Sequence, residues 1–286
     1  MTAIELIVEP RTRSVGAGQV QRLLPYRSRR MVGPFIFADV IGPETIRAGS
    51  AVAIGAHPHI GLSTVTYLFD GRMVHRDSIG AVQTIEPGAV NWMTAGSGVT
   101  HTERSHPDDI AERQGLHGLQ TWVALPEEVE EAAPAFQHVP ASQIPTDGLG
   151  RSQVRVAVGS GWDLDSPVSG SSPLVLAEIR LDTESPLPIA TDHRELAVLA
   201  LSGDIRINDE TVAVGRLAVL QTGLAATLSG AGTAIVLGGE PLGKRHIWWN
   251  FVSSDADRIE QAKDDWSAQR FPTVPDDHDE WVPLPS

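Results

Sequence analysis

His57-Pro58-His59-Ile60-Gly61-Leu62-Ser63-Thr64-Val65-Thr66-Tyr67-Leu68-Phe69-Asp70-Gly71 is the stretch whose reading decides the fold. Its second half, residues 64–69, is rich in β-branched and aromatic side chains, which pack well on a pleated surface. Asp-Gly then closes it with a pair that tolerates turn conformations. The pattern predicts a strand, a turn at Asp70-Gly71 and a return strand over residues 73–77. Outward from there, from Ile4 to about Val252, short apolar runs are punctuated by Gly, Pro, Asp and Asn. That texture belongs to sandwiches and barrels rather than to alternating strands and helices, so the body reads as all-β. A block of the same form recurs at residues 195–201, with a turn expected at Ser202-Gly203, a return over 204–207 and Gly215 before the run 216–220. The earlier copy continues to Pro87-Gly88 and residues 89–93, which makes a weak internal repeat.

A chain of 286 residues suggests two units of ordinary size, each with its own core. The Pro-rich, acidic stretch at 127–145 offers few apolar side chains to pack across a boundary and is the expected seam. Residues 1–135 and 136–286 are the resulting domains. Ser254 is expected to cap a short C-terminal helix through Asp255, Ile259, Ala262 and Trp266, whose apolar members recur at three- and four-residue steps. The helix and the acidic, proline-rich tail beyond Phe271 are assigned to the second domain, the tail wrapping the surface or staying mobile.

With 22 basic against 36 acidic residues the net charge is −14, which repels a phosphate backbone and argues against direct nucleic-acid binding. No apolar run approaches the roughly 20 residues needed to span a bilayer. The first 13 residues carry Glu5 and Glu9 rather than a basic, apolar leader, so a cytoplasmic location without membrane attachment is expected. The sequence has no cysteine, so any metal must be held by nitrogen and oxygen.

Side chains alternate faces along a strand, so His57 and His59 project to one side, and His101 and Glu103 repeat that spacing. Laid side by side, the two segments converge four donors on one divalent cation. Three imidazoles and a carboxylate leave one or two coordination positions open on a five- or six-coordinate ion, for water, a substrate oxygen or dioxygen. Iron, manganese, nickel, copper and zinc all accept such a donor set. His75 and Asp77 are read as solvated, with a place at the cavity mouth as the alternative. His106, His117, His138, His193, His246 and His278 are read as exposed or structural. Trp92 and Trp122 are expected in the first core. The acidic runs 108–112 and 127–131 are taken as solvated loops. A G-x-S-x-G elbow and nucleotide-binding fingerprints are absent.

HPHIGLSTVTYLFDG (57–71), HRDSIG (75–80), PGAVNWMTAGSGVTHTE (87–103) and HGLQTWVALP (117–126) together resemble the signature region of pirins, a family of bicupin proteins. The resemblance covers about residues 32–126, and residues 239–266 resemble the C-terminal end of bacterial pirin-like proteins. It implies two cupin-type β-barrels with a short C-terminal helix, and a metal, usually iron, held as Fe(II) by His57, His59, His101 and Glu103 in the first barrel only. Counting along the repeat places Ile189, Thr191 and Leu228 where the histidines would be, which agrees with a second barrel lacking ligands. The family commonly has a glutamate four residues after the second histidine, where this chain has Ser63, so a carboxylate that could orient a ligand is missing.

Pirin-like cupins are similar to quercetinases, which implies a metal-dependent dioxygenase acting on a small aromatic substrate such as a flavonol. Glu103 would then both bind the ion and take the substrate proton. The alternative implied by the family is a non-enzymatic, redox-sensitive regulator that acts through protein partners in transcription or central metabolism.

Overall fold

Leu62–Asp70 is a strand buried throughout residues 62–68 in the computed structural model of the chain, which describes residues 2–16, 18–112 and 114–285. Burial along a continuous run, with no alternation of exposed positions, means that both faces of the strand are covered. It lies between Val90–Thr94 and Gln114–Ala124, antiparallel to each, in a seven-stranded sheet. Opposite it stands a four-stranded sheet in the order Ala53–His59, Val99–Ser105, Met73–Asp77, Val82–Ile85. The expected turn is present, with Gly71 at φ +80°. Its return strand, however, does not pair back: Met73–Asp77 enters the four-stranded sheet. A two-residue type I′ hairpin needs positive φ at both central residues, and Asp70 does not have it. The turn therefore carries the chain from one sheet to the other.

The second unit is built on a ten-stranded sheet in which Glu195–Ile207 pairs along its length with Thr227–Gly239. Here Ser202-Gly203 is no turn. It is a bulge inside one 13-residue strand, with the register slipping between Ala200 and Ser202. Gly203, at φ +78°, accommodates the kink, and a Cβ there would lie 2.0 Å from the carbonyl oxygen of Ala231. Val198, Ala200, Ile205, Leu228 and Val236 fill the interior with aliphatic side chains.

The two compact units are not separated by one cut near residue 135. One comprises Met1–Thr12, Gln21–Val40 and Ser142–Pro241, the other Arg13–Val20, Ile41–Ala141 and Leu242–Ser286. The reason for the first exchange is pairing: Ile4–Val8 adds to the edge of the ten-stranded sheet against Leu217–Leu220. The reason for the second is burial of the C-terminal helix, Ala256–Ser267, whose Ile259, Ala262 and Trp266 pack with Ile60 and Phe251. Helix and tail thus belong with the metal-candidate barrel.

Asp255, not Ser254, caps the helix by accepting from the Asp257 amide. Ser254 is engaged elsewhere, donating through its hydroxyl and amide to Glu130, which also accepts from Ser253 Oγ. Glu130 is consequently buried, a correction to the solvated reading of the 127–131 run, where the neighbouring acids are exposed. The tail lies against the first strand of the four-stranded sheet: the Ala56 amide donates to Glu280 O and the Val282 amide to Ala56 O. Arg104 clamps the same segment through Asp277. Among the described residues, no helix is long and apolar enough to cross a membrane.

Candidate metal centre

Ala53–His59 and Val99–Ser105 run antiparallel with His101 opposite His57 and Val99 opposite His59. Directly opposed residues share a face, so His57, His59 and His101 project to the same side of the sheet, as the i, i+2 spacing anticipates. All three are buried. Their ring centroids are 5.2, 4.2 and 5.0 Å apart, and one donor nitrogen from each lies within 4.8 Å of the others. Metal–imidazole bonds of about 2.1 Å place donors at most about 4.2 Å from one another, so small ring movements suffice to close the trio on an ion. Among the described residues no second group of this kind occurs.

The electrostatics suit a cation. Burial lowers His57 to about 4, against a smaller upward pull from its hydrogen bond to Gly55 O. His59 and His101 are held well below the usual imidazole range, chiefly by burial and then by the neighbouring rings. At neutral pH the rings are therefore uncharged and carry lone pairs. The His57 Nδ1–H donates to Gly55 O at 2.9 Å, which leaves Nε2 as its lone-pair nitrogen. His59 Nδ1 and His101 Nε2 are buried with no hydrogen-bond partner. Such orphaned atoms cost about 1–3 kcal/mol each, and a bound cation would satisfy both. The residues present fit a divalent metal.

Glu103 is buried in the same strand but is not one of the three mutually close donors. A bulge between His101 and Glu103 sets it opposite Ile54 on one side, while His75 faces it on the other. Burial pushes its carboxyl up to about 7. Ser63 is buried and offers only a hydroxyl, 3.1 Å from Thr94 Oγ1. Trp92 and Trp122 are buried as anticipated, and Trp122 meets His59 edge-on at 5.0 Å.

His75 and Asp77 are the principal correction. Both are buried, at 3% and 0% exposure, because Met73–Asp77 is the neighbour of Val99–Ser105 and sets Asp77 opposite His101. His75 stacks on Phe136, and its Nδ1 is 3.3 Å from His101 Nδ1. The signal was in the sequence, since His-x-Asp has the same i, i+2 spacing as His57 and His59. The remaining histidines stand outside the trio: His106 accepts from Asp108 N, His138 is hydrogen-bonded to Asn91, His193 to Ser160 O and His278 to Val274 O.

Two family models match the chain, Pirin over residues 17–123 and the Pirin C-terminal cupin domain over residues 176–272. A pirin-like protein of Caulobacter vibrioides is 40% identical over 288 residues, covering 99% of each chain. A crystal structure of quercetin 2,3-dioxygenase from Acinetobacter baumannii superposes with a TM-score of 0.90 at 32% identity, covering 98% of this chain and 95% of that one. A bacterial pirin from Escherichia coli in complex with nickel(II) shares the fold at a TM-score of 0.65 and 17% identity, over 82% of this chain and 99% of its own. With both halves matched by their own models and a relative aligned almost end to end, this chain belongs to the pirin family.

Proposed function

We propose that the chain is a metal-dependent dioxygenase of the quercetin 2,3-dioxygenase type, with one divalent ion, Fe(II) before Mn, Ni, Cu or Zn, held by His57, His59, His101 and Glu103. The observation that carries this reading is the buried trio of uncharged imidazoles, two of them with a ring nitrogen lacking any partner. The likeness to the Acinetobacter baumannii quercetin 2,3-dioxygenase supports the substrate class, a small flavonol. When bound, the ion supplies a Lewis-acid centre with open positions at which flavonol and dioxygen are brought together.

The chain's own groups do the rest. The three rings orient the centre and, being buried, exclude water from it. Glu103, buried in the same strand as His101, would hold the ion through its carboxylate and is the group placed to accept the flavonol hydroxyl proton. Trp122 gives an apolar wall beside His59. The test is anaerobic loading with ferrous iron followed by bleaching of quercetin in air, alongside a His101→Ala control. Bleaching by the parent at least about a hundredfold faster than by the control is expected; equal rates would remove the enzymatic reading.

A further inference from the structure

From His101 across to the neighbouring strand Met73–Asp77, three buried groups stand in line. His101 Nδ1 is 3.3 Å from His75 Nδ1, and His75 Nε2 is 3.1 Å from Asp77 Oδ2. Asp77 is fully buried, and its other oxygen accepts from the amides of Ile79 at 3.1 Å and Ala81 at 2.9 Å. The loop that brings those amides round is closed by the Asp77 amide donating to Ala81 O and the Gly80 amide to Asp77 O. His75 is held from its face by the Phe136 ring, 4.7 Å away and nearly parallel. The proposed reaction gives no role to His75 or Asp77.

The proton positions along the line follow once Asp77 is taken as a carboxylate and His75 as the neutral imidazole, the premise on which the proposal stands. An ionised carboxylate only accepts, so the nitrogen facing Asp77 Oδ2 must be the protonated one, His75 Nε2–H. A neutral imidazole has a single N–H, so His75 Nδ1 is then an acceptor, and the ring facing it must donate. That ring is His101, whose Nδ1–H donates to His75. Its lone pair is thereby forced onto Nε2, the atom that is buried without a partner.

We propose that Asp77 and His75 are positioning residues that lock His101 in the Nδ1–H tautomer through a two-step hydrogen-bonded chain, presenting Nε2 as a metal donor of raised basicity. The inference deepens the metal reading given above and rests on it for its consequence, but the tautomer itself exists without any ion. A carboxylate acting through an imidazole onto a ligating imidazole supplies from strand Met73–Asp77 the orientation that Ser63 does not supply from Leu62–Asp70.

The Asp77→Asn variant reverses the chain while keeping its shape. The amide oxygen still accepts from Ile79 and Ala81, but the amide nitrogen now donates to His75 Nε2. His75 must then carry its proton on Nδ1, His101 must accept there, and the His101 proton is driven onto Nε2, where it blocks the donor. The test has two readouts on the full chain. Long-range 1H–15N correlation spectra of the metal-free protein at neutral pH assign the His101 tautomer directly. Nδ1–H is expected in the parent and Nε2–H in Asp77→Asn, and the same tautomer in both would overturn the proposal. Cobalt(II) titration, followed by ligand-field absorption, is expected to show affinity lowered about ten- to a hundredfold in Asp77→Asn and in His75→Gln. Equal cobalt affinity in parent and variants would also overturn it. A parent that binds no cobalt would instead remove the metal reading, and the spectra would still decide the tautomer.

Discussion

At the scale of single residues, the candidate centre combines groups whose burial pulls stability in opposite directions with pH. In the metal-free protein the folded-state pKa of His57 is lowered to about 4, and His59 and His101 are lowered as well. Unfolded, these rings bind protons at about 6.5, so acidification below that value favours the unfolded chain, and stability is lost as pH falls toward 4. The lowering of His57 to about 4 corresponds to roughly 3 kcal/mol. Glu103 has the other sign. Its carboxyl is raised from 4.5 to about 7, so the folded state holds the proton more tightly and stability falls as pH rises through that window. Three rings against one carboxyl make acidification from about pH 6.5 to 4.5 a net destabilisation, which urea midpoints of the metal-free protein across that range will show; a flat or rising profile would contradict it. Glu103→Gln is expected to lower quercetin bleaching about a hundredfold or more while the three imidazoles still retain an ion, read by bleaching rate together with metal content. The clustered histidines were legible because i, i+2 spacing fixes a shared face whatever the strand's environment. His75 carries the same spacing with Asp77, but alternation says only that the two share a side and leaves open whether that side is covered.

The strands themselves were readable from β-branched runs, while their partners were not. Leu62–Asp70 and the helix Ala256–Ser267 stand where composition and periodicity place them. What local pattern misjudged were the joints. Gly71 was read as a hairpin and Gly203 as a turn, since a glycine at positive φ serves a turn, a crossover or a bulge equally well. The distinction lies in the opposing strand, which continues its pairing on both sides of Gly203 and leaves no room there for a Cβ. Gly203→Ala is accordingly expected to destabilise the second unit by about 2–4 kcal/mol, through both the left-handed backbone and the encroachment on Ala231, without altering metal affinity. Thermal unfolding of the variant beside a metal titration checks both halves; an unchanged melting temperature would show that the bulge relaxes.

For the whole molecule, the chain's ends decide the division into units. Ile4–Val8 completes a sheet whose other members begin beyond residue 140, and residues 242–286 complete the unit that holds the candidate centre. A linear cut near residue 135 missed this because hydrophobic periodicity marks a strand's buried face and carries no address for the strand it will join. Among the described residues the one group of close donors lies in a single unit, so an ion bound there would make stability depend on it by ligand linkage. At a free metal concentration a hundred times its Kd, binding adds about 2.7 kcal/mol. Chelation is expected to lower the melting temperature by several degrees in the parent and to leave His101→Ala unmoved; equal shifts in the two proteins would place the metal elsewhere. The most direct measurement is elemental analysis of the parent and of His57→Ala, His59→Ala and His101→Ala after equilibrium dialysis against a divalent metal. One ion per chain in the parent and loss of it in each variant is the expected result. An ion retained undiminished by all three variants, or none held by the parent, would contradict the three-imidazole centre.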